Sequence, residues 1–132
     1  MQRISKIPFG ITTFVVVALI MYATLDPNPL PDTEIRLFEG ADKVIHTIMF
    51  LTLSLALSFD YNKKLFGKYN NITVAIVVGL FSTIFGIAIE FMQDAMAMGR
   101  TADIYDAIAD AFGAFIGSFV WIPLCKHIFQ NK

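Results

Sequence analysis

The sequence predicts an all-α integral membrane protein, a bundle of four helices, on three observations. Of its 132 residues, 56% are hydrophobic and only 16% charged, and the mean hydropathy is +0.64. The apolar residues gather in four long runs. The lysines and arginines gather at one end of the bundle those runs would build. A disordered chain has fewer apolar residues than this, and an ordinary soluble domain carries more charge. The length suits a single domain, taken as residues 1–132. A net charge of −1 leaves no basic footprint, so nucleic acid is not expected as a partner. Cys125 is the only cysteine, which rules out an intramolecular disulfide and a multi-cysteine metal site.

The first run, Pro8 to Leu25, is interrupted only by Gly10 and three threonines and predicts a span over 8–25. Arg3 and Lys6 precede it as they would precede a signal peptide. The run is long for that role and no small-x-small cleavage site follows, so it reads as a retained anchor. Asp26 to Asp32 holds three prolines and predicts an extended, non-helical strip. The second span, 42–60, reaches the crossing length of about 20 residues only if Asp42 and Lys43 join its outer turn. Tyr61 to Asn71 reads as a short polar linker. The third span covers 72–93, and Gly99 in the following turn is its expected stop. The fourth covers 103–125, where Trp121, Lys126 and His127 read as an interfacial anchor.

Charge sets the expected direction. With the N-terminus inside, Arg3, Lys6, Lys63, Lys64, Lys68, Lys126 and Lys132 lie on the cytoplasmic side, against Arg36, Lys43 and Arg100 outside. This bias predicts that both termini are cytoplasmic. Ten of the eleven acidic residues then fall on the outer half, leaving Asp60 alone inside.

Ionisable residues within a span cost about 2.5–3.5 kcal/mol each near its centre and usually face the bundle interior. Here they share one level on three helices. Asp42 and His46 are four residues apart, and Lys43 and His46 three apart, so they share a helix face. Glu90 and Gln93 are three apart at the outer end of the third span. Asp103, Asp106, Asp110, Gly113 and Gly117 follow a 3-4-3-4 spacing, one stripe that is acidic outside and small deeper in. The carboxylates outnumber Lys43 and Arg100, so gathering them in one site calls for protonation, a bound metal or a cationic ligand. Interfacial ion pairs and a His46–Glu90 hydrogen bond that fixes packing are the structural alternative.

The order Asp42-Lys43-x-x-His46, Glu90-x-x-Gln93, Arg100-x-x-Asp103-x-x-Asp106, then Gly113 and Gly117, resembles the VanZ-like membrane proteins of bacteria. The likeness runs from about Asp42 to Gly117. Ile89 stands where an aspartate commonly precedes the glutamate, and Asp110 where asparagine is usual. The resemblance implies a multi-pass protein of the bacterial cytoplasmic membrane, and its founding member is linked to low-level resistance to the glycopeptide teicoplanin. It supplies no established reaction.

Several functions fit these residues. An enzyme acting on a phospholipid or lipid-linked headgroup would use His46 or Glu90 as general base. Asp103, Asp106 and Asp110 would hold a divalent metal, and Lys43 and Arg100 would bind phosphate, with Asp42 and Gln93 beside them. A binding module would use the same groups without turnover. A structural partner in a membrane complex would dock through the glycine stripe, and an ion-coupled carrier would need an oligomer. The sequence does not separate catalysis from binding, and it leaves the oligomeric state open.

Overall fold

The computed structural model describes residues 8, 10–25, 41–65, 70–96 and 104–130, and at Asp42 and Gln93 the description covers the backbone alone. Arg100 and Asp103 lie outside the described residues. The described residues form four helices: α1 (Ile11–Leu25), α2 (Ala41–Leu65), α3 (Asn71–Met96) and α4 (Ile104–Gln130). The fold is all-helical, as expected.

Three helices, α2, α3 and α4, are long and apolar enough to cross a membrane. The first is shorter. Its 15 residues rise about 22 Å, less than the roughly 30 Å of a hydrocarbon core. The apolar run starts at Pro8, but Gly10 takes a positive φ of 82°, so regular helix begins only at Ile11. Conversely, α2 runs on through Tyr61 to Leu65, where a linker was expected, because no glycine or proline interrupts the segment before Gly67. Its extra turn carries an ion pair described below. Pro123 sits inside α4, which continues to Gln130 although the Phe119 carbonyl loses its helical donor there.

The central element is α4, which packs along both α2 and α3, while α1 lies chiefly against α2. Two glycines allow the α2–α4 approach. A Cβ on Gly113 would meet the Thr47 carbonyl oxygen, and one on Gly117 would meet the Leu51 carbonyl and the Ser54 hydroxyl. Buried serines fill the same seams, and Ser54 returns its hydrogen bond to its own helix at Leu51 O, 2.9 Å away. Phe50, Leu53, Ile89 and Ala114 form the apolar centre, with Ile20 of α1 closing it. Many large apolar side chains face outward instead, among them Phe14, Leu19, Phe81, Ile84 and Phe91, each more than 60% exposed. A water-soluble monomer does not carry so large an apolar surface, whereas a lipid-facing one does.

At the end of the bundle away from His46, Asp60 is buried and accepts hydrogen bonds from Thr13 N (2.8 Å) and Thr13 Oγ1 (2.7 Å). Lys63 Nζ lies 2.8 Å from its other oxygen. The carboxylate thereby caps a backbone amide in the first turn of α1 and ties that helix to α2. Asp60→Ala is expected to free the start of α1, raising hydrogen exchange at the Thr13 amide at least tenfold while α3 and α4 amides keep their protection. Unchanged exchange at Thr13 would contradict this tie. Trp121 is buried edge-on against Phe59, with ring centroids 6.0 Å apart. The preference of two aromatic rings for edge-to-face contact supplies the partner that the sequence did not reveal.

Candidate functional site

The N-terminal end of α2, the C-terminal part of α3 and the N-terminal part of α4 bring His46, Glu90, Asp106 and Asp110 to one level of the bundle. His46 lies on the α2 face toward α4, next to Thr47, whose carbonyl Gly113 approaches. The short glycine contact lets Asp110, one turn above Gly113, reach across. Its Oδ1 lies 2.8 Å from His46 Nδ1, and Asp110 is fully buried. A carboxylate can only accept, so with Asp110 ionised Nδ1 carries the proton. His46 Nε2 then lies 3.8 Å from Asp106 Oδ2, beyond direct hydrogen bonding.

Asp106 Oδ1 is taken by Lys43 Nζ at 2.9 Å. The pairing links α2 and α4 at the rim, where Lys43 is about one-third exposed, and so contributes about 1 kcal/mol at most. Glu90 arrives from α3. It is 5% exposed, and its carboxylate, an Asp110 oxygen and an imidazole nitrogen of His46 lie within 4.8 Å of one another. Gly86, one turn before Glu90, leaves room for Asp110. A Cβ there would come within 2.8 Å of Asp110 Oδ2 and 3.1 Å of the Phe50 ring. Small residues on α3 and α4 thus set the polar groups into the seam, and the glycine stripe and acidic stripe serve one construction.

Of the residues singled out in the sequence, His46, Glu90 and Asp110 converge, and Lys43 and Asp106 form an adjoining pair. The side chains of Asp42 and Gln93, and all of Arg100 and Asp103, lie outside the described residues. Among the described groups, three carboxylates (Glu90, Asp106, Asp110) face one ammonium and one imidazole. Such a set can orient an imidazole, hold a cation or exchange a proton. Ile89, where the resemblance expects an acid, is a buried core residue. Paired adjacent carboxylates are therefore not part of this site.

Beside the cluster, α3 and α4 leave an apolar groove of about 530 Å³. Thr83, Ile87, Phe91, Ile104 and Ile108 line it, and so does Glu90. Glu90 consequently belongs to two surfaces at once, the buried polar cluster and the wall of a lateral groove.

Asp60, set alone among the acidic residues on the inner side by the sequence, is buried, and its role was not read from the sequence. Its i,i+3 spacing to Lys63 was the available signal, but the partner that matters, Thr13, is remote in sequence.

No curated protein and no solved structure matches the chain. The VanZ/LLP1 family matches residues 2–129, nearly the whole length. With three membrane-length helices and this match, the chain is a multi-pass membrane protein that belongs to the VanZ/LLP1 family.

Proposed function

We propose that this protein captures the polar headgroup of a membrane lipid or lipid-linked envelope precursor in the His46–Glu90–Asp110 cluster. An acyl chain lies in the groove between α3 and α4. The observation that carries this reading is the double position of Glu90, which joins a buried polar cluster to an apolar groove of acyl-chain character. A headgroup can enter sideways from the bilayer without crossing water. The excess of lysine and arginine at the other end of the bundle supports an orientation in which the site faces the periplasm or cell exterior of a bacterial cytoplasmic membrane. That side is where lipid-linked envelope precursors are used and where teicoplanin acts.

Capture is the step shared by binding and by headgroup chemistry. In a catalytic version, His46 held by Asp110 and the neighbouring Glu90 supply the acid–base pair. A purely structural network is the second reading, favoured by the pairing of Lys43 with Asp106 and His46 with Asp110.

Ala111 lines the groove, so Ala111→Phe is expected to fill it while leaving the polar cluster intact. Quantitative lipid analysis of protein purified from membranes should find one selectively enriched lipid class with the wild type. The folded Ala111→Phe variant should lose at least 80% of it. Equal lipid content in both, or no class enriched above bulk membrane, would overturn the proposal.

A further inference from the structure

We infer that His46, Glu90 and Asp110 form a binding site for one divalent transition-metal ion. The three come from three different helices, and each is more than nine-tenths buried, at 6%, 5% and 0% exposure. One imidazole nitrogen and one oxygen of each carboxylate lie within 4.8 Å of one another. Around a four-coordinate ion with bonds of about 2.0–2.1 Å, neighbouring donor atoms stand about 3.3 Å apart. From separations within 4.8 Å, shifts of roughly an ångström per donor would reach that spacing.

A second observation points the same way. Asp110 Oδ2 is buried and has no hydrogen-bond partner among the described residues. It lies over Gly86, on the α3 side and one turn from Glu90. Buried carboxylate oxygens are nearly always satisfied, and a cation between Asp110 and Glu90 would satisfy this one.

Charge agrees with the geometry. Lys43 answers Asp106 outside the three-residue set. A divalent ion would bring charge of the sign opposite to the Glu90 and Asp110 carboxylates into a seam where buried charge is costly. Mixed nitrogen and carboxylate donors suit zinc or manganese better than calcium, which takes six to eight oxygens. Three protein ligands would leave a coordination position open, and Glu90, one of the three, also lines the apolar groove. The site stands independently of headgroup capture, because the ion alone is sufficient to test it.

The experiment is zinc and manganese titration of the full chain in detergent after chelator treatment, with metal counted by mass spectrometry. Glu90→Gln and Asp110→Asn, both near-isosteric, are titrated beside it, and circular dichroism and melting temperature confirm that they fold. Asp60→Asn at the opposite end of the bundle serves as control. We expect one equivalent per wild-type chain, binding weakened about 100-fold or more in Glu90→Gln and Asp110→Asn, and no change in Asp60→Asn. Absence of stoichiometric binding in the wild type would overturn the inference. So would binding that the folded Glu90→Gln and Asp110→Asn variants retain.

Discussion

Asp110→Ala is expected to destabilise the folded bundle by about 2–4 kcal/mol, the cost of stranding a buried imidazole N–H and of opening a cavity where the carboxylate stood. The deletion strips His46 Nδ1 of its 2.8 Å partner in a place without water access and leaves a void between α2, α3 and α4. Asp110→Asn should cost only about 1 kcal/mol, because its Oδ1 still accepts from Nδ1. A double-mutant cycle with His46→Ala isolates the pair, and a coupling of about 1–3 kcal/mol is expected from thermal or denaturant unfolding in detergent. Independent, additive effects of the two deletions would contradict the contact.

The second large effect concerns α2–α4 packing. In Gly113→Ala the new methyl meets the Thr47 backbone carbonyl, and neither backbone can rotate away. The helices must part, at a cost of about 2–3 kcal/mol after the helix-propensity gain of roughly 1 kcal/mol is subtracted. Because Asp110 lies one turn away, the same change should draw it from His46. Gly79→Ala is the internal comparison, since the atoms nearest its methyl belong to the Phe115 side chain rather than to a backbone. Its cost should stay below about 1 kcal/mol. Melting curves for the two variants check the ranking, and equal losses would show that the close approach at Gly113 does not limit packing.

The helical class and the level of the polar residues were legible in the sequence for physical reasons. Apolar runs of membrane length admit little but helix, because backbone groups in lipid must bond within their own segment. The 3-4 spacing from Asp106 to Gly117 puts those residues on one face whatever the tertiary fold, and that face does meet α2. Pairing was not legible. Lys43 stood beside Asp42 in the sequence but reaches Asp106, and His46 turns to Asp110 as well as standing near Glu90. Both depend on helix rotation and relative height, which spacing within a single helix does not encode. The end of α2 was misjudged because polarity at Tyr61 to Leu65 resembles a linker. The segment is helical, and its Lys63 pairs back to Asp60. Asp110 departs from the asparagine usual in VanZ-like proteins, yet here it closes the cluster.

The claim that the buried cluster serves a ligand is tested most directly by Glu90→Gln, scored for lipid content and for stability in the same preparation by native mass spectrometry and melting temperature. Glutamine keeps the shape of Glu90 and removes its charge. The account predicts a melting temperature within about 3 °C of the wild type, less than 1 kcal/mol of stability for a domain of this size, together with loss of the co-purifying lipid. Full lipid content in Glu90→Gln, or a wild type that carries no lipid while the variant melts far lower, would contradict it and leave the cluster as a packing network.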